Sequence, residues 1–441
     1  MNCACGGCSM TPKTALQVAR SCTILYKPDT GFQRHSPFSF FDMESIITLL
    51  ADQGAWEQLL ARRLMRGCYS WHQFEVADTF VGEQKYLPVA ERLAQGQGLG
   101  IPVKKTINKM GTGKKRVVYT YGPDEMRALS LISYLLYRYD HCFAPNCYAF
   151  RQGLHPHDAI RQLNKAIGYC PMWVYKLDIH DYFNSIPIAL LLPKLALLLA
   201  DDQPLFRFFE QMLTDNHVLD NGKVVEEPHG IMAGTPTSPF LANVFLSDVD
   251  HHFHDAGVVY ARYSDDIILF AQDQETLESH KTTLLRFIEQ HGLTVNPDKE
   301  RVYTPDEPFE FLGFKCHEHE IGISAATIKK MKGKISRHAR ALLRWRKRKD
   351  IGAERAMAAM IRHYNRKFFE DDDPETLTWS RWYFPVINQT EGLKEIDQYL
   401  QQQIRFLSTG RHNKANFKVE YETLKRLGYR SLVHEFYRSQ K

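Results

Sequence analysis

The chain has no hydrophobic run long enough to cross a bilayer. Its longest aliphatic stretch, residues 188–200, is broken by Pro193 and Lys194, well short of the ~20 apolar residues a spanning helix needs. Residues 1–10 show neither the basic region nor the apolar core of a secretory leader, so a cytoplasmic location and no membrane partner are expected. Nine cysteines, an odd number scattered over 441 residues, argue against a disulfide framework. Cys3, Cys5 and Cys8 with Cys22 form the one cluster with zinc-ligand chemistry, but their spacing matches no common finger. His251, His252 and His254 read as packing or surface residues of a helix. There is no internal repeat and no low-complexity tract.

What is present begins with ordinary globular composition, 44% hydrophobic and 24% charged, over a length that implies two to four subdomains. The net charge of +5 is modest, but its distribution is not. Between Lys329 and Lys349 stand eleven lysines and arginines and no acid. Ile328, Met331, Ile335, Leu342 and Trp345 recur among them at helical spacing, giving one packed stripe and one basic face. A solvated face is the plain alternative. The other reading is that Lys329, Lys330, Lys332, Lys334, Arg337, Arg344 and Arg348 track the phosphates of a nucleic acid.

Along the chain, residues 1–100 read as a helical extension, with 96–102 as a linker. Residues 101–121 form a hairpin around a Gly-rich basic turn, and 124–139 a helix. Strand-rich stretches at 173–186, 258–270 and 309–323 alternate with helical ones at 188–212, 240–254 and 275–291. That order predicts an α+β unit, a small sheet with helices on one face. Beyond about residue 325 the chain turns helical and basic, with an acidic loop near residues 370–374.

The most informative residues are Tyr263-Ser264-Asp265-Asp266, set in the apolar run 258–270. Adjacent carboxylates at a hairpin tip make a concentrated negative spot. Asp178 ends a second strand-like run, 173–179. Three such charges within ~4 Å repel by about 4 kcal/mol per pair at an effective dielectric near 20. Two Mg²⁺ ions, with Mn²⁺ as the alternative, would relieve that repulsion, and two-metal chemistry on phosphates uses this constellation.

A Y-x-D-D string alone is weak evidence, so the ordered series around it matters. YKLDIHDYFNSI runs from Tyr175, GIMAGTPTSPFLAN from Gly230, LTVNPDK from Leu293 and FLGF from Phe311. With Tyr263–Asp266 these resemble, in order and spacing, motifs A to E of reverse transcriptases. Upstream, KKRVVYTY from Lys114 and FRQGLHPHDAI from Phe150 resemble the two fingers motifs of the bacterial group. The resemblance covers roughly residues 100–325. TPTSP at Thr235–Pro239 is like retron enzymes, and FLGF is like group II intron and diversity-generating enzymes. Thr378-Trp379-Ser380-Arg381-Trp382 and Leu427-Gly428-Tyr429-Arg430-Ser431 look like stand-alone antiphage reverse transcriptases, among them the class 2 type that acts with a neighbouring non-coding RNA.

The resemblance implies an α+β right-hand polymerase: fingers at 101–172, palm at 173–325 and a basic helical thumb at 326–441. It implies that Asp178, Asp265 and Asp266, with the backbone carbonyl of Ile179, hold the metals, and that Lys299 protonates pyrophosphate. Phe183 would be the gate that excludes a ribose 2′-OH. Arg116, with Lys114 or Lys115, would clamp the triphosphate, and Arg151 would touch template or nucleotide. Gly234, with Pro236 and Pro239, would shape the turn under the templating pair. One departure stands out: Ala233 occupies the place where many relatives have Gln, so the amide that contacts the incoming sugar is missing. The implied activity is RNA-directed synthesis of cDNA from dNTPs on a structured non-coding RNA, in antiviral defence. Template-independent or protein-primed DNA synthesis, a retron-type enzyme, an RNA-dependent RNA polymerase and an inactive nucleic-acid-binding palm are the alternatives.

Overall fold

The computed structural model describes residues 44–66, 68–108, 115–370 and 378–440. Cys3, Cys5, Cys8, Cys22 and Lys114 lie outside them, as does most of the acidic stretch after Glu370. Three helices lead in: α1 (Gln53–Met65), α2 (Trp71–Gly82) and α3 (Leu87–Ala94). Asp52 caps the first by accepting from the Ala55 N–H, and Ser70 with Gln73 makes a capping box on the second. Trp56 stacks on Tyr86 at 5.2 Å and meets Phe80 edge-on at 5.7 Å. These helices share one continuous core with the rest of the fingers and palm, from Ile46 to Leu293.

The fingers sheet starts with the antiparallel pair β1 (Val103–Asn108) and β2 (Lys115–Thr120). Helices α4 (Pro123–Leu135) and α5 (Pro156–Ala166) follow, each with proline in its first turn. Strand β3 (Trp173–Asp178) then runs to a short helical turn, α6 (Tyr182–Ser185). The stretch 173–186 is therefore not strand throughout, and left-handed Asp181 (φ 42°) turns the chain from one state to the other.

The expected helix 188–212 is two, α7 (Ile188–Leu198) and α8 (Gln203–Thr214), because Asp202 caps the second. Asp202 also accepts from Ser45 Oγ at 2.6 Å and the Ile46 N–H at 2.8 Å, and pairs with Arg138. A hairpin not expected from the sequence, β4 (His217–Asp220) and β5 (Lys223–Glu226), extends the fingers sheet to the order β2-β1-β4-β5. Its turn, Asn221-Gly222, has φ of 49° and 83°, the left-handed pair of a two-residue hairpin loop.

The palm follows: α9 (Ser238–Phe245), α10 (Ser247–Asp255), β6 (Tyr260–Tyr263), β7 (Asp266–Ala271), α11 (Gln274–Gln290) and β8 (Arg301–Tyr303). Its antiparallel sheet has the order β6-β7-β3-β8. Alternating residues of the central strands enter two cores. Tyr175, Leu177, Ile267 and Leu269 face the helices, while Val174, Ile268 and Phe270 face a second cluster. That second cluster contains a three-stranded sheet, β9 (Phe309–Phe311), β10 (Phe314–His317) and β11 (Glu320–Ile323). Both faces are covered, not one.

The thumb supplies the rest of the second core. It comprises α12 (Ala325–Arg348), α13 (Ala353–Phe369), α14 (Trp379–Tyr383), α15 (Glu391–Thr409), α16 (Tyr421–Arg426) and α17 (Leu432–Ser439). Ile328, Met331 and Ile335 of α12 are buried there as their spacing requires.

Candidate active site

The catalytic candidates are gathered by strand register. Pairing of β3 with β7 places Asp178 opposite Asp266, and the β6–β7 hairpin places Tyr263 opposite Asp266. Between them Ser264 is left-handed, φ 63°, a conformation a non-glycine residue holds only when its surroundings enforce it. The enforcement is visible. Arg262, fully buried, donates to the Ser264 carbonyl at 3.3 Å and to Asn243 Oδ1 at 3.2 Å. Its Nε–H reaches Asp250 at 2.8 Å, and Tyr260 donates to the same carboxylate at 3.0 Å. Despite burial, the Asp250 charge holds the Arg262 guanidinium protonated well above its ordinary range.

Asp178 is buried at 4% exposure. Its carboxylate accepts from Lys299 Nζ and, at 3.3 Å, from Asn296 Nδ2, and its carbonyl accepts from the Asn296 N–H at 2.8 Å. The Ile179 N–H donates to the Asp265 carbonyl at 3.0 Å, which locks the two halves of the site together. Burial first, then the Asp178 and Asp266 charges, pushes Asp265 up to about 6. Burial also raises Asp266, against the pull of Lys176 at 3.9 Å. Among the described residues no group of three or more acids, histidines or cysteines stands as a ready-made metal cage. What the strands supply is excess negative charge, answered by two lysines. That donor set fits a divalent cation.

The fingers close on this end. Arg116, exposed on β2, has its guanidinium 6.0 Å from the Phe183 ring, and Lys115 stands exposed beside it. Phe183 meets Phe150 edge-on at 6.1 Å, and Phe150 lies 6.5 Å from Tyr263. Ala233 is 1% exposed. Its N–H donates to Asn184 Oδ1 at 3.2 Å and its carbonyl accepts from the Tyr119 N–H at 2.8 Å. Gly234, φ 107°, is required here, because a Cβ would stand 3.0 Å from the Tyr119 carbonyl oxygen.

Residues 104–316 match the family model described as reverse transcriptase (RNA-dependent DNA polymerase). Over that region, just under half of its length, the chain is similar to reverse transcriptases. It is 29% identical over 106 residues to the retron Ec86 reverse transcriptase of Escherichia coli, covering 23% of this chain and 33% of that one. To the retron Mx65 reverse transcriptase of Myxococcus xanthus it is 26% identical over 193 residues, covering 42% and 43%. The chain thus spans less than half the length of these curated relatives. Among solved structures, an apo telomerase from Candida tropicalis, truncated from its C-terminal domain, aligns at 12% identity and a TM-score of 0.42, covering 53% of this chain and 58% of that one.

Within the matched region, Arg151 is turned away from the carboxylates of the candidate site. All five of its N–H donors are committed, to the Asp140 carboxylate and carbonyl and to the carbonyls of Ala144 and Cys147. It braces the loop before α5, so the expectation that it touches template or nucleotide is corrected.

The basic face of the thumb is likewise divided. Lys330 and Lys334 line, with Asp266, Lys176 and Lys299, a cavity of about 600 Å³ walled by Trp379, Trp382 and Tyr383. Lys367 of α13 joins them, and burial and then Lys334 lower its pKa. Lys329 and Lys332 instead line a second cavity, of about 640 Å³, with Glu391 and Glu395. There Lys332 pairs with Glu395 at 2.5 Å and lies 5.4 Å from the Tyr399 ring, which corrects its reading as a free phosphate contact. Arg337, Arg344 and Arg348 are exposed.

Asn184, Asn296 and the Arg262–Asp250 pair were not found from sequence. Arg262 had a signal, since a charge inside a buried strand demands a partner. Nothing local marked Asp250 as that partner.

Proposed function

We propose that this chain is an RNA-directed DNA polymerase acting by two-metal nucleotidyl transfer. The observation that carries the reading is the register of β3 and β7, which sets Asp178 and Asp266 side by side with Asp265 at the hairpin tip. Asp178, Asp265, Asp266 and the Ile179 carbonyl would hold two Mg²⁺ ions, which activate a primer 3′-OH and neutralise the triphosphate. Arg116 and Lys115 bind the triphosphate from the fingers. Phe183 bars a 2′-OH. Lys299, half-exposed and paired with Asp178, holds a proton within the site that can pass to the departing pyrophosphate.

The substrate is dNTPs, and the template a structured non-coding RNA. Support for an RNA partner is the basic thumb. Support for a role in antiviral defence, with the class 2 arrangement, is the likeness of the segments around Trp379 and Tyr429 to stand-alone antiphage enzymes. A primed dNTP-incorporation assay tests the chemistry: the wild type is active and Asp265→Ala/Asp266→Ala inactive, and equal activity in both would remove the proposal. Phe183→Ala should admit rNTPs. Unchanged sugar selection would take Phe183 out of the gate.

A second reading, template-independent or protein-primed DNA synthesis, is favoured by Ala233. This position sends no side chain toward the nucleotide, and its backbone is fully engaged with Asn184 and Tyr119. Sequencing products made with and without co-purified RNA separates the two readings.

A further inference from the structure

We propose that the far end of the thumb is a docking site for a single-stranded polynucleotide, distinct from the catalytic cleft. The identity of the partner class rests on the polymerase reading; the site itself rests on the following geometry. Two acid-free stretches, residues 329–349 and 398–419, are brought together by the fold. Arg346 of α12 donates to the Leu407 carbonyl at 2.6 Å and the Ser408 carbonyl at 3.0 Å. Just beyond the end of α15, Gly410 is left-handed, φ 71°, and any Cβ there would stand 3.2 Å from Leu343. Each stretch is a basic segment by itself. Docked, they make one positive surface that neither contains alone.

The loop that completes this surface is tightly built. Arg405 donates to the Val419 carbonyl at 2.9 Å, Thr409 to Asn416 Oδ1 at 2.5 Å, and Asn416 Nδ2 to the Arg411 carbonyl at 2.8 Å. His412 stacks on Phe406 at 4.5 Å. Yet the next residue after the pinned Asn416, Phe417, is 73% exposed. A hydrogen-bonded loop that holds a phenylalanine in water, flanked by exposed Arg411, Lys414 and Lys418, has the makings of a stacking platform with phosphate contacts beside it. On α12, exposed Arg340, Arg344 and Lys347 lie within about 100° of Leu343 around the helix axis and adjoin it.

Position separates this surface from the active site. Lys330 acts on Asp266, and Leu343 lies 13 residues further along the helix, about 20 Å away at 1.5 Å per residue. An exposed ring stacks only on bases with a free face, which a duplex hides within its own stack. The occupant is therefore single-stranded, and on the polymerase reading it is a segment of the template RNA; emerging DNA, with the same phosphates and bases, is the alternative that the test separates.

Fluorescence anisotropy on the full chain tests this with an unstructured RNA of about a dozen nucleotides, a DNA of the same sequence and a duplex whose ends are closed by non-nucleotide linkers. Phe417→Ala should weaken single-strand binding about 10-fold, and Phe417→Trp should retain it. Lys414→Glu/Lys418→Glu should flatten its salt dependence. Duplex binding and dNTP incorporation on a pre-annealed primer–template should not change. The RNA arm should bind more tightly than the DNA arm, and tighter binding of the DNA arm overturns the assignment to template. Wild-type single-strand affinity in Phe417→Ala, or an equal loss on duplex, overturns the proposal. Failure of the wild type to incorporate dNTPs would instead remove the polymerase reading and leave the binding result standing.

Discussion

At the hairpin end of the palm, strand register crowds three carboxylates into a place where burial holds Asp265 at about 6. Along the thumb, cations stand in the open and are shared among three surroundings: the cavity beside Asp266, the Glu391/Glu395 cavity and the distal tip. The palm uses few charges, fixes each one and accepts the repulsion. The thumb uses many and fixes few. A reacting centre needs charge preorganised and shielded from water, whereas tracking a phosphate backbone needs charge that stays solvated until the polymer arrives.

The largest effect should come from removing palm carboxylates. Asp265→Ala/Asp266→Ala should lower dNTP incorporation roughly 1,000-fold or more, while the thermal midpoint in metal-free buffer holds or rises, because mutual repulsion is lost. A fall in the midpoint would mean that these acids are structural.

Next comes the palm's other buried charge. Arg262→Met leaves the Asp250 carboxylate, at 0% exposure, without its cation and with only the Tyr260 hydroxyl as a side-chain donor, and urea unfolding should show a loss of about 3–5 kcal/mol. A loss under about 1 kcal/mol would show that the pair is not what holds the hairpin.

In the thumb the effects should be graded. Lys330→Glu/Lys334→Glu should weaken primer–template binding and reduce the slope of log K against log salt by about 2. Lys332→Ala should leave both unchanged. Equal effects would restore the picture of one uniform basic face.

The smallest effect concerns pH. His338 of α12 packs at 4.1 Å from His363, and burial, then His363 and Lys367, lower its pKa to about 4 from 6.5. A base with a depressed folded value contributes stability that is present above its unfolded pKa and lost as pH falls through the folded one. The stability advantage of wild type over His338→Gln should therefore shrink between about pH 6.5 and 4. A constant difference would show that this pair does not titrate with folding.

What the sequence made legible was local. The carboxylates, the hairpin that carries two of them and the apolar stripe of α12 each follow from a short pattern with one physical cause. The β4–β5 hairpin was legible as well, in Asp220-Asn221-Gly222, but went unread. Arg151 and Lys332 were misread for a different reason. Their partners, Asp140 and Glu395, stand 11 and 63 residues away, and spacing does not report which acid folding brings near a flexible cation. The covering of the palm's second face was hidden likewise, since alternation along β3 and β7 reveals two apolar faces but not what lies on each.

That shared sheet has a practical outcome for anyone wishing to trim the chain. Val174, Ile268 and Phe270 belong to the same cluster as Ile335, Met360 and Leu400, so the thumb is not a detachable handle. A fragment ending near residue 325 would expose a greasy flank of its own central strands, and should be recovered from cells as insoluble material.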